Sequence, residues 1–287
     1  MARPLRMFDS ATYYFITDRC HEERHFLRPD PEVLEIVARA LRKAIGATDV
    51  AVLGWVLMGN HWHIIVRATK EPDALPAFMQ RLKSEVARAV NEHLGRQGTF
   101  WADRYHAIPI LDESSLLERM MYVLMNPVAA GISATCAEYP GLSSLEANVG
   151  VRAACGAVDV PVELPPQWAG LDDAALSRQR AWMRDELRAR ENAVKEERRK
   201  RGLPRAKAER CLRVSPFDRP KRPARRPAPM CFAATLDVRR AFARLRSAFI
   251  TAYRWASAQF RAGVLDVMFP AGAFPPRLAR PPVVASA

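Results

Sequence analysis

The chain has 287 residues, 49% of them hydrophobic, which is enough apolar material for a large core and excludes a disordered tail. Lys and Arg number 44 against 31 Asp and Glu, a net charge of +13 with a pI near 10.1, and so basic a balance points to a polyanion, either nucleic acid or an anionic membrane surface. The charge is uneven: residues 171–287 hold 27 basic and 11 acidic side chains, net +16, whereas residues 1–170 stand at −3.

Thr12–Cys20 is aromatic and β-branched and predicts a strand. Asp30 and Pro31 form an N-cap and N1 pair, after which Val33, Leu34, Ile36, Val37, Ala40, Leu41 and Ile45 recur at helical spacing as far as Gly46. Val50–Met58 and His61–Arg67 are strand-like and flank the turn dipeptide Gly59-Asn60, a hairpin. A second helix spans roughly Asp73 to Leu94, with Leu75, Phe78, Leu82, Val86 and Val90 on one stripe. Tyr105–Leu111 predicts a fourth strand, and Asp112-Glu113-Ser114 opens a third helix that Pro127 is expected to end. The order β-α-β-β-α-β-α is the α+β, ferredoxin-like split βαβ arrangement, an antiparallel sheet with helices on one face plus one appended helix, over residues 1–150. Residues 151–170 read as a linker. Residues 171–287 form a basic, mainly helical extension: a charged helix at Leu171–Arg201 with a thin seam of Leu176, Met183 and Leu187, a Pro/Arg stretch at Ser215–Pro229, and a helix at Leu236–Arg261.

The five cysteines (Cys20, Cys136, Cys155, Cys211, Cys231) show no zinc or dithiol spacing and fit a reducing compartment. The longest uncharged run, Val50–Val66, carries glycine, asparagine and two histidines in 17 residues, too short and too polar for a membrane span, and residues 1–15 lack the apolar core of a signal peptide. The expectation is a cytoplasmic, nucleoid-associated protein with no membrane partner.

His61-Trp62-His63 lies on a strand, so its two imidazoles share one face and Trp62 takes the other. Two adjacent imidazoles can chelate a divalent metal, and a carboxamide oxygen suits a hard ion such as Mg²⁺ or Mn²⁺ as third ligand. Tyr122 and Asn126, at i and i+4, share a helix face. If that helix lies beside the hairpin, phenol and metal meet. Trp101, Arg104, Tyr105 and His106 add aromatic and basic groups beside a strand, suited to stacking bases or holding phosphate.

GWVLMGNHWHIIVR (54–67) resembles the His-hydrophobe-His motif of the HUH single-tyrosine transposases, and YVLMNPVAAG (122–131) resembles their tyrosine helix. TYYFITDRC, GTFWADRYHAIPI (98–110) and ERMMYVLMNPV (118–128) agree, and the set is most similar to the REP-associated tyrosine transposases across residues 8–148. The resemblance implies a metal-dependent endonuclease and strand transferase acting on single-stranded DNA, hairpin or palindromic, through a 5′-phosphotyrosine intermediate, and it leaves a homodimer open. It makes Tyr122 the nucleophile, His61 and His63 the metal pair and Asn126 the third ligand. Gly59 replaces the family's usual proline, and Ala129 replaces an arginine that could contact phosphate. APMCFAA (228–234) with FPAGAFPP (269–276) resembles the extension of some larger bacterial relatives. The +16 extension is expected to attract DNA through Arg198, Arg199, Lys200 and Arg201 at its helix end and Lys221, Arg222, Arg225 and Arg226 in its proline stretch. The competing expectations are a domesticated DNA- or RNA-binding protein that needs no cleavage, and an RNA-recognition sheet, whose aromatic motif is absent from the sequence.

Overall fold

In the computed structural model, which describes residues 5–156, 158–220 and 228–274, the run YYFITDR is strand β1 (Tyr13–Arg19). Helix α1 (Pro31–Gly46) opens with the Asp30 carboxylate accepting from the backbone N–H groups of Glu32 and Val33, and with Pro31 where no N–H is needed. The hairpin β2 (Val50–Met58) and β3 (His61–Ala68), helix α2 (Ala74–His93) and strand β4 (His106–Ile110) follow. All pairings are antiparallel and the strand order is β2-β3-β1-β4, which is the ferredoxin-like arrangement expected from the sequence.

Alternation sorts the strand side chains between two cores. Ile16, Trp55, Trp62 and Ile64 join α1 and α2 in the first, with Phe78 and Leu82. Phe15, Val56, Ile65 and Ile108 face the other way, onto helix α3 (Glu113–Ala129), whose Leu116, Met120, Val123 and Leu124 fill the second. Each such side chain, fully buried, contributes roughly 1.5–3 kcal/mol, so α3 is fixed firmly to the sheet. Pro127 does not end this helix as expected; α3 continues to Ala129. In the last turn the missing N–H deprives only the Val123 carbonyl, and the end is closed by Ala130 donating to the Asn126 carbonyl and Ile132 to that of Pro127.

Both sheet edges are covered. Along β2, the Tyr139 hydroxyl donates to the Leu57 carbonyl at 2.7 Å, Asn148 of the short helix α4 (Leu145–Val149) donates to that of Leu53 at 2.8 Å, and the Trp55 N–H donates to Ser144 Oγ at 2.8 Å. The segment expected as a linker is pinned beside them: the Glu163 N–H donates to the Val52 carbonyl at 2.7 Å, and Arg67 reaches its carboxylate at 2.6 Å. Helix α5 (Asp173–Lys200) then lies on α3, burying Met183 and Leu187 and joining Arg190 to Glu118 by bonds of 2.9 and 2.7 Å.

After α6 (Glu209–Leu212), residues 228–234 reach the β4 edge. The Phe232 N–H donates to the Pro109 carbonyl at 2.8 Å, its carbonyl accepts from Leu111 at 2.9 Å in a parallel bridge to Ile110, and the Ala234 N–H donates to Asp112 at 2.7 Å. Helix α7 (Leu236–Arg261) follows, and the Gly272 carbonyl finally accepts from the Phe8 N–H at 3.2 Å. Gly272 has φ +76° and no room for a Cβ, which would stand 2.2 Å from the Phe8 carbonyl oxygen. Among the described residues no helix is long and apolar enough to cross a membrane.

Candidate active site

Strand alternation on β3 turns His61 and His63 toward α3 and sends Trp62 into the first core, where its ring packs 4.4 Å from that of Trp101. The two imidazole centres are 4.9 Å apart. On β1, Thr17 is the cross-strand partner of His63, and its hydroxyl lies 3.0 Å from His63 Nδ1. Asn60, in the hairpin turn, donates through Nδ2 to the Glu23 carbonyl at 3.0 Å, which leaves Oδ1 facing His61 Nδ1 at 2.6 Å. Asn60 Oδ1 can only accept, so His61 carries its proton on Nδ1 and turns Nε2 to the site, whereas the Thr17 hydroxyl can either accept from His63 Nδ1 or donate to it.

The surroundings hold both rings neutral. Burial pushes His61 down to about 3, the charges of Arg19 and His25 act in the same direction, and the nearby Asn126 carboxamide, as an acceptor for the charged ring, opposes them. Burial likewise lowers His63 well below the usual range, helped by His61, Arg19 and Arg119. Asn126, 8% exposed on α3, is thus close enough to His61 to act on its protonation. One turn earlier Tyr122 stands with its ring centre 5.6 Å from that of His63 and 5.7 Å from that of Phe15, and it is 39% exposed, open to a substrate. The four residues singled out in the sequence therefore meet where β3 faces α3.

Among the described residues no group of three or more His, Cys, Asp and Glu side chains could hold a metal ion. A divalent ion here would rest on two neutral imidazoles and one carboxamide oxygen. That donor set fits, because two neutral imidazoles whose Nδ1 atoms both meet an oxygen able to accept can bind an ion through Nε2, and Mg²⁺ or Mn²⁺ would fill its remaining positions with water and phosphate oxygens.

The other expected contacts are distributed differently. Trp101 is spent on the far face, donating through Nε1 to the Lys83 carbonyl at 3.0 Å, and Tyr105 is buried in the first core beneath Arg6, so neither ring is offered to bases beside Tyr122. The reason is register: β1 and the loop before β4 carry these rings toward α2. His106, opposite Thr17 on β4, does share the face of His63, and with Arg6, Arg104 and Arg246 it lines a cleft of about 420 Å³ at the β4 edge. Arg198 is occupied by the Pro204 carbonyl at 2.8 Å and lies against Gly131 just beyond α3, while Arg199 pairs with Glu196 at 2.7 Å. Lys200 and Arg201 are exposed at the end of α5. Lys221, Arg222, Arg225 and Arg226 lie outside the described residues.

Thr17, Asn60 and Arg119 were not singled out by the sequence. Arg119 carries a local signal, its i, i+3 spacing to Tyr122, and its guanidinium lies over that ring at 4.9 Å. Thr17 carries none, because only the β1–β3 register assigns it to His63.

Comparison with known proteins gives a family match for residues 10–124, to the model described as transposase IS200 like. The matched span takes in His61, His63 and Tyr122 and stops two residues before Asn126. Among solved structures, a REP-associated tyrosine transposase bound to a REP hairpin is 20% identical with a TM-score of 0.44, over 57% of this chain and 96% of that one. A protein from Deinococcus radiodurans R1 described as a transposase is 18% identical with a TM-score of 0.31, over 42% and 92%. No curated protein matches the chain.

Proposed function

We propose that this chain, whose residues 10–124 belong to the IS200-like transposases, is a metal-dependent single-stranded DNA endonuclease and strand transferase with Tyr122 as its nucleophile. The observation that carries the proposal is the exposed Tyr122 phenol beside the neutral His61 and His63 imidazoles and the Asn126 carboxamide. His61, His63 and Asn126 would hold Mg²⁺ or Mn²⁺, which when bound supplies a Lewis acid that withdraws charge from the scissile phosphate. Tyr122 attacks phosphorus in line, forms a 5′-phosphotyrosine ester and releases a 3′ hydroxyl. The ester conserves the energy of the broken bond, so a second 3′ hydroxyl can reverse the step and join strands. An open site with the tyrosine on a helix face admits a threaded single strand, and a hairpin beside it provides recognition.

Full-length protein incubated with a 3′-labelled hairpin oligonucleotide and Mn²⁺ should give a covalent band on a denaturing gel, and the same oligonucleotide labelled at its 5′ end should give a shortened free fragment instead. Tyr122→Phe should abolish that band while retaining oligonucleotide binding. Chelator should stop cleavage, Mg²⁺ or Mn²⁺ should restore it, and His61→Ala and His63→Ala should each remove most activity. A covalent band from the Phe variant would move the nucleophile elsewhere; binding with no cleavage by the wild type would make this a nucleic-acid-binding protein instead.

A further inference from the structure

Arg119 precedes Tyr122 by one turn of α3, and its guanidinium carbon stands 4.9 Å from the centre of the Tyr122 ring and 4.5 Å from that of Phe232. The second ring arrives from the far end of the chain. Phe232 is fixed to the β4 edge by its two backbone hydrogen bonds and packs edge-on against Phe15, which is stacked on His63. The Arg119 side chain is only 20% exposed, yet it holds almost nothing. Among the described residues its guanidinium makes no hydrogen bond, and its ion pair with Glu118 is long, at 3.9 Å, because Glu118 is engaged by Arg190 at 2.9 and 2.7 Å. A cation wedged between two rings keeps its planar set of N–H donors. The group that matches this fork, and that the proposed reaction brings to Tyr122, is a phosphate.

We infer that Arg119 is a phosphate-binding residue of the tyrosine site and that Phe232 is its positioning residue, so that residues 228–234 complete the site from the C-terminal side. The inference rests on the phosphotyrosine reading above. As the Tyr122 oxygen bonds to phosphorus, the phenolic proton passes to water, and the departing 3′ oxygen leaves with its bonding pair and takes up a proton. Negative charge on the non-bridging oxygens is held by the guanidinium fork of Arg119, a side chain only 20% exposed. Phe232 touches no reacting atom; it stops the long Arg119 side chain from swinging away from the ring of Tyr122.

The test uses full-length wild type, Arg119→Ala, Arg119→Lys, Phe232→Ala and Phe232→Leu on the labelled hairpin oligonucleotide with Mn²⁺, with thermal melting alongside. Arg119→Ala should lower the rate at saturating oligonucleotide by about 10²-fold with little change in the half-saturating concentration. Lysine should recover part of that loss, Phe232→Ala should fall between, and Phe232→Leu, which fills the space without the ring, should lose less than Phe232→Ala. A methylphosphonate at the scissile position removes the charge that Arg119 is inferred to bind. On that substrate the variants should match wild type, an equality that a general structural defect cannot produce. Should Arg119→Ala fail to fold, the lysine variant carries the same comparison. Equal rates on the ordinary phosphodiester, or an equal loss on both substrates, would overturn the assignment of Arg119 while leaving Tyr122 untouched. Absence of a covalent band from wild type would instead overturn the reading of the site itself.

Discussion

Asn60 holds the Nδ1 proton of His61 so that its Nε2 faces the site, and Thr17 offers His63 Nδ1 a hydroxyl that can accept in the same way. The Asn60 amide has a single orientation that satisfies both partners, since its nitrogen donates to the Glu23 carbonyl while its oxygen accepts from His61. Removing such an outer partner typically costs 10–100-fold in metal affinity or activity. Asn60→Ala is therefore expected to slow cleavage by roughly 10–100-fold, with part of the loss recovered at high Mn²⁺. A metal titration of the cleavage rate checks this, and an unchanged titration curve would show that the turn does not orient the ring. On the opposite face, Asp18 is buried and paired with Lys83 at 2.6 Å. Burial outweighs Lys83 and raises its carboxyl to about 6 from an ordinary 3.8, so the native state binds this proton more tightly than the unfolded chain does. The charged form is then a cost above pH 6, relieved as pH falls toward 4, of about 3 kcal/mol at most. Asp18→Asn removes the titrating group: melting temperatures measured from pH 4 to pH 7 should show the variant gaining on wild type as pH rises, and a constant difference would contradict the raised value.

The hairpin and the tyrosine helix were legible in the sequence because their signals are local. Gly59-Asn60 between two apolar runs has only one hairpin reading, and Tyr122 and Asn126 share a face by spacing alone. What stayed hidden depends on partners far apart in the chain. The single-residue addition of Phe232 to the β4 edge leaves no alternating pattern, and α4 is a five-residue turn whose purpose, capping β2 through Asn148, appears only in three dimensions. Gly59 shows the same limit. It stands where the resembled transposases usually have proline, and a Cβ there would be 3.0 Å from His25 Nδ1, so the small residue makes room for a ring packed under the turn. Trp101 and Tyr105 looked like stacking platforms because composition cannot tell which face of a sheet a loop will feed.

The basic extension is wound around the N-terminal half. Helix α5 covers α3, Arg24 and Arg28 hold the carbonyls of Phe217 and Leu212 at 2.6 and 3.2 Å beside the hairpin turn, residues 228–234 take the β4 edge, and Gly272 meets Phe8. Cutting the chain near Gly170 would strip Met183 and Leu187 from the second core along with the surplus charge, so charge must be tested without truncation. Replacing Lys221, Arg222, Arg225 and Arg226 by glutamine is expected to flatten the plot of log K against log salt by about 3, from roughly 0.7 per phosphate contact on a single strand. Binding of one oligonucleotide across a salt series measures it, and an unaltered slope would mean that these four residues do not touch the DNA.

The placement of Phe232 also has a consequence in time. It is encoded 110 residues after Tyr122, so a ribosome adding about 5–20 residues per second delivers it on the order of 5–20 s after the tyrosine itself. During that interval the nascent sheet can form, with both histidines and the tyrosine in place, while Arg119 still lacks the ring that holds it. On the proposed reading, a half-made chain, or a product of premature termination anywhere before residue 232, would carry Tyr122, His61 and His63 without the ring that holds Arg119, and is expected to act on DNA more slowly than the finished protein.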